Sequence, residues 1–113
     1  AVETVSEYRL LHGEAVSIGL VAEVKLSQQL GYMTQEQAER VIALLKRAKL
    51  TTEIQYYIDR EKLVKKQYTD KKVRDGKLRF VLQDGIGAIV CFGENVYATP
   101  ISEETAREII MQL

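Results

Sequence analysis

From Leu10 to Leu30 the chain contains no proline, and apolar residues dominate it. Ala15, Gly19, Ala22, Leu26 and Leu30 recur at three- and four-residue steps, the spacing that gathers side chains on one face of a helix. Val16, Ile18, Leu20, Val21 and Val24 make the other sides apolar too, leaving Glu14, Ser17, Lys25 and Gln28 as a thin polar stripe. A helix this apolar all round is expected to be central and buried. At 1.5 Å per residue, His12 to Leu30 spans about 28 Å, the width of a small domain. The small residues Ala15, Gly19 and Ala22 are expected to let a neighbouring helix approach closely, and Gly31 supplies a stop signal. His12, the only histidine, and Glu14 stand at the N-terminal end, where unpaired amides and the helix dipole favour anions.

The 113 residues are one domain's worth, with 16 basic residues balancing 16 acidic ones. That neutrality argues against nucleic acid and against an acidic membrane surface as partners. A single cysteine, Cys91, allows no internal disulfide and fits a reducing compartment. No apolar run reaches the roughly 18 residues of a membrane span, and the N-terminus has no signal-like core. The expectation is a cytoplasmic chain. Ala1-Val2-Glu3 reads as the interior of a helix, so the chain looks like a piece of a longer protein.

In chain order, residues 1 to about 8 read as the tail of a helix. Thr34 with Gln37 forms a capping-box pattern, followed by the apolar stripe Ala38, Val41, Ile42, Leu45 and Ala48, which predicts a second helix over about 35–48. Residues 50–57 are ambiguous, rich in extended-chain formers yet without an obvious partner strand. Asp59 caps a third helix whose Leu63, Val64 and Tyr68 face inward. Asp75-Gly76 marks a turn, Leu78–Leu82 a strand, Asp84–Gly87 a reversal and Ala88–Phe92 the returning strand. Pro100 falls in a loop before Ser102, which caps a last helix burying Ala106, Ile109, Ile110 and Leu113. The fold class is therefore mainly α, a multi-helix domain around a central buried helix at about 12–30, with one short β-hairpin at about 78–92.

Between Lys62 and Arg79 the basic residues Lys62, Lys65, Lys66, Lys71, Lys72, Arg74, Lys77 and Arg79 face only two acids, Asp70 and Asp75. This run is either a solvated surface or a local anion site. Tyr68 is its only stacking aromatic, so a phosphate or carboxylate on a small molecule fits better than nucleic acid. A catalytic zinc needs about three protein ligands, and one histidine with one cysteine cannot supply a nitrogen- or sulfur-rich set. No phosphate-cradling glycine loop, nucleophile elbow or dinucleotide fingerprint is present. Composition and spacing alone thus give a helical domain with a local anion site and no assigned reaction.

The motifs add a resemblance. Leu11-His12-Gly13-Glu14-Ala15-Val16-Ser17-Ile18-Gly19-Leu20, followed by Asp70-Lys71-Lys72-Val73-Arg74-Asp75-Gly76-Lys77-Leu78-Arg79-Phe80-Val81-Leu82 and Gly85-Ile86-Gly87, resembles the C-terminal helical domain of 3-dehydroquinate synthase. Ala1-Val2-Glu3 is similar to the segment directly after that family's Gly-His-Thr-x-Gly-His motif. The resemblance implies that 1–113 is the metal- and substrate-binding domain of a larger two-domain enzyme whose N-terminal NAD-binding domain is absent here. That enzyme converts 3-deoxy-arabino-heptulosonate 7-phosphate to 3-dehydroquinate and phosphate, using NAD and zinc or another divalent metal.

By the same resemblance His12 matches one of two metal-binding histidines, the remaining ligands lying before Ala1. The substrate-binding lysine falls in Asp70-Lys71-Lys72, with Lys72 preferred over Lys71, where an ammonium would meet the substrate phosphate. The resemblance also implies a homodimer for the full-length enzyme and no turnover by these residues alone. Two alternatives stay open: a related sugar-phosphate cyclase such as 2-deoxy-scyllo-inosose synthase, or a stand-alone helical module binding an anionic partner. Val2, Val5 and the apolar side of the central helix are expected to be exposed in the isolated chain and to drive self-association.

Overall fold

The apolar segment that dominates the sequence forms its longest helix, and three separate groups of buried side chains meet on it. A computed structural model describes residues 1–7, 9–68, 73–74 and 77–113, with the backbone alone at 73 and 74. Five helices, α1 (Val2–Val5), α2 (His12–Gln29), α3 (Gln35–Arg47), α4 (Arg60–Gln67) and α5 (Glu103–Met111), surround a small antiparallel sheet of β1 (Val73–Arg74), β2 (Lys77–Val81) and β3 (Ala98–Ile101). The mainly α reading around a central helix holds.

Ile18 and Val21 of α2 pack with Leu10, Ile54, Ile58, Leu63 and Val64. Val24 packs with Met33 and Ala38 of the α3 region. Leu26 packs with Leu78 and Leu82 of the sheet region and with Ala106 and Ile109 of α5. One helix therefore serves three walls of the core, and burying its aliphatic side chains at about 1.5–3 kcal/mol each is what keeps it fixed.

Two expectations for α2 change. Ser17, assigned to the polar stripe, is buried, whereas Val16 and Leu20 are exposed. A Cβ added at Gly19 would meet nothing within 4 Å, so no helix among the described residues exploits that glycine. The neighbouring elements pack against Ile18, Val21, Val24 and Leu26 instead, because the large aliphatics bury more area than the small-residue row. Val2 and Val5 are likewise not bare: they are partly buried against the first cluster.

Helix ends follow the sequence closely. Gly31, with φ +87, ends α2 in the left-handed region. Thr34 Oγ1 accepts from Gln37 N–H at 3.1 Å while Gln37 Oε1 accepts from Thr34 N–H at 3.0 Å, a complete capping box. Asp59 Oδ1 accepts from the amides of Glu61 and Lys62, and Ser102 Oγ from that of Thr105. Residues 51–55 form no strand; Ile54 and Ile58 anchor this stretch as buried side chains in a loop.

The sheet departs from the expected pairing. The order is β1-β2-β3, with Leu78 opposite Ile101 and Arg79 opposite Pro100. After Val81 the chain does reverse, with Val90 N–H donating to the Leu82 carbonyl at 2.9 Å and a single bridge from Gln83 to Ile89. It then leaves the sheet, and 98–101 takes the ladder position that 88–92 was expected to hold. Pro100, read as a loop residue, sits inside β3. An edge strand tolerates proline because its outward N–H needs no partner. Cys91, in the apolar segment read as the returning strand, is exposed, and its thiol donates to the Gly93 carbonyl at 2.8 Å.

Candidate functional site

His12 is the first residue of α2 and the first of a row, His12, Val16 and Leu20, at four-residue steps. None of the three core clusters contains a member of this row. The imidazole side chain is 79% exposed. Its helix starts without a side-chain cap at Leu11; Glu14 compensates, one carboxylate oxygen accepting from Leu11 N–H at 3.3 Å. Glu14 thus has a structural duty at the helix start, favoured there by the dipole.

The imidazole has one partner among the described residues, Glu3, whose Oε1 lies 2.8 Å from His12 Nδ1. An ionised carboxylate can only accept, so the proton is on Nδ1, and a neutral ring then carries its lone pair on Nε2. Glu3 is itself well placed. Val2 and Val5 flank it in α1 and pack on the core, the buried Ser6 hydroxyl donates to the Glu3 carbonyl at 2.9 Å, and its own side chain is 35% exposed. Glu7, with φ +57, then ends α1 and turns the chain toward the buried Leu10. Sequence reasoning missed Glu3: nine residues separate the pair along the chain, on two different helices, and no periodic pattern connects them.

The chemistry of this donor set fits one arm of a divalent metal site. A neutral imidazole with Nδ1 held and Nε2 open is the form in which histidine ligates zinc. No group of three or more His, Cys, Asp and Glu side chains capable of holding a metal ion occurs among the described residues. A complete site needs donors from elsewhere.

Lys71 and Lys72, the two lysines assigned to substrate, lie outside the described residues. Of their neighbours in the basic run, Lys62, Lys65 and Lys77 are exposed, and no hydrogen bond joins a described basic residue to His12. Among the described residues, one surface depression is lined by residues 51–56 with Arg60 and another by Tyr32, Phe92 and residues 99–102 among others; neither includes His12 or Glu3. Among the described residues no helix is long and apolar enough to cross a membrane.

This arrangement, a long helix with other helices around it and a small sheet, is similar in fold to a solved structure of 2-deoxy-scyllo-inosose synthase. The two superpose with a TM-score of 0.74 over 98% of this chain and 28% of that one, at 19% identity, a likeness of fold. The chain belongs to the 3-dehydroquinate synthase C-terminal family, whose pattern matches residues 1–73. The 3-dehydroquinate synthase of a Nostoc species is 38% identical across 100% of this chain, and that of Dichelobacter nodosus is 46% identical across 77% of it. The chain spans 30% of the length of the first relative and 24% of the second.

Proposed function

We propose that this chain is the metal- and substrate-binding helical domain of a 3-dehydroquinate synthase, which converts 3-deoxy-arabino-heptulosonate 7-phosphate to 3-dehydroquinate and phosphate in aromatic amino acid biosynthesis. The observation that carries this reading is His12, which stands in the family's Leu-His-Gly-Glu-Ala segment with its imidazole exposed and Nδ1 engaged. In this reading Nε2 of His12 ligates the divalent metal, and the other donors come from the longer polypeptide of which these residues are a part.

When bound, the metal supplies Lewis acidity toward the substrate hydroxyls, and NAD, held mainly by the partner domain, supplies a hydride acceptor. The chain's own share is placement. His12 holds one coordination position at the start of a helix fixed by three core walls, and the dipole of α2 adds positive potential where the anionic substrate approaches. Lys72, or Lys71 beside it, meets the substrate phosphate as a point charge. The enzyme works in the cytoplasm as a homodimer, and the 113 residues alone are inactive.

The inosose-forming alternative rests on the fold likeness; the relatives at 38% and 46% identity favour the dehydroquinate reaction. The test is phosphate release from the heptulosonate phosphate by the full-length protein, wild type beside His12→Ala. Turnover by the wild type, with kcat/KM in the variant reduced by more than the roughly 10–100-fold that outer-shell changes cost, is the expected result. Wild-type activity only on a hexose phosphate would replace the substrate assignment. Equal activity of both proteins would remove His12 from the site.

A further inference from the structure

The contact between Glu3 and His12 does more than join two side chains, and its consequence goes beyond the ligand assignment on which it rests. The two ring nitrogens of an imidazole point in divergent directions, so a carboxylate seated on Nδ1 stands away from whatever Nε2 binds. At 2.8 Å the Glu3 oxygen is at full hydrogen-bonding distance. The His12 side chain is otherwise exposed, and it belongs to none of the core clusters among the described residues. Glu3, by contrast, is fixed from several directions: Val2 and Val5 pack on the core, and the Ser6 hydroxyl holds its carbonyl. The side chain anchored beside the core therefore orients the exposed one.

We propose that Glu3 is a positioning residue for the metal site, locking His12 in the Nδ1–H tautomer and aiming Nε2 at the metal. Three effects follow from that geometry. The ring is held in one rotamer before metal arrives, so less conformational freedom is lost on binding. The proton is kept off Nε2, the nitrogen that must be bare. Electron density drawn from the carboxylate makes Nε2 a better donor, as outer-shell acceptors do for zinc-bound histidines. A purely structural ion pair is the competing account, and it makes a different prediction, because an exposed pair of this kind contributes little to folding.

The experiment uses the full-length protein, wild type beside Glu3→Gln, Glu3→Ala and His12→Ala, each stripped of metal. Zinc affinity is measured by competition with a chromophoric chelator, the cobalt(II) absorption spectrum reports coordination geometry, and thermal melting of the metal-free proteins reports the fold. Glu3→Ala is expected to weaken zinc about 10–100-fold, Glu3→Gln by less, with a changed cobalt spectrum and an unchanged metal-free melting temperature. His12→Ala is expected to lose more affinity than either. Wild-type zinc affinity and cobalt spectrum in the Glu3 variants, with metal lost in His12→Ala, would overturn the positioning role and leave the ligand assignment standing. Wild-type affinity in His12→Ala would overturn the assignment, and this proposal with it. Should Glu3→Ala fail to fold, the isosteric Glu3→Gln decides by the same readings.

Discussion

Two serines ten positions apart on α2 are both buried and both polar, and the structure assigns them opposite energetic roles. Ser27 is fully enclosed, yet its hydroxyl donates to the Glu23 carbonyl at 2.7 Å and accepts from Gln83 N–H at 2.8 Å, tying the central helix to the segment just past β2. Removing it leaves the Gln83 amide without that acceptor, a loss worth about 1–3 kcal/mol where the group cannot reach water. Ser17 is equally enclosed, but its Oγ has no hydrogen-bond partner among the described residues. Taking that oxygen away removes a buried polar atom that gains nothing in return. Urea denaturation should therefore show Ser27→Ala destabilised by about 1–3 kcal/mol and Ser17→Ala at or slightly above wild-type stability. Equal losses in the two variants would mean that Ser17 has an acceptor in solution. The sequence could not separate them, since each is a serine directly after an aliphatic residue on an apolar helix. What differs is the strand edge that folds back over Ser27 from 56 residues away.

At the scale of elements, legibility depended on how local the determining contact is. Thr34, Asp59 and Ser102 each bond an amide two or three residues ahead, and all three helix starts could be read from the sequence. The partner of β2 could not be read in that way. The apolar run 88–92 looks like a strand, but Ile89 is half exposed and its neighbourhood gives only one bridge, while the less apolar 98–101, carrying a proline, completes the ladder. That choice is settled by Ile101, which packs with Leu26 and Leu78 in the core, a contact spanning much of the chain. The packing of α4 on α5 is non-local as well. Arg107 pairs with Glu61 across the two helices, and Tyr68, just past the end of α4, packs against the cluster that holds Ala106 and Ile109 of α5. Burial pushes the Tyr68 phenol above its ordinary 10.0; the Glu103 carboxylate adds to this and the Arg107 guanidinium opposes it. A phenol that keeps its proton longer in the folded chain than in the unfolded one stabilises fully below pH 10, and that contribution is lost as pH rises through the folded-state value. Tyr68→Phe should therefore lose melting temperature less steeply than wild type above pH 10. Parallel curves for the two proteins would show that the phenol is equally acidic in both states.

Over the whole molecule, the described core closes three sides of α2 and leaves the fourth open. Leu11 is 74% exposed, Val16 46% and Leu20 37%, and they flank or share the face that begins with His12. The sequence foretold an apolar helix on every side; it could not say which side the rest of this chain would leave bare, because that depends on where α1, α3, α4 and α5 settle. Val2 and Val5, expected to be exposed beside it, instead hold α1 to the core and with it Glu3. A contiguous apolar strip on an isolated domain is a contact surface waiting for a partner, and in a solution of this chain alone the commonest partner is another copy. The 113 residues by themselves are expected to show concentration-dependent association in sedimentation velocity. Val16→Glu, which places a charge in the middle of the strip at an already exposed position, should shift the boundary toward monomer without lowering helix content. If the wild-type chain sediments as a single monomer across the accessible range, the strip is too narrow to hold two copies together. Association that survives Val16→Glu would move the contact to another surface, such as the exposed Tyr56 and Tyr57, whose rings meet edge to face at 5.7 Å.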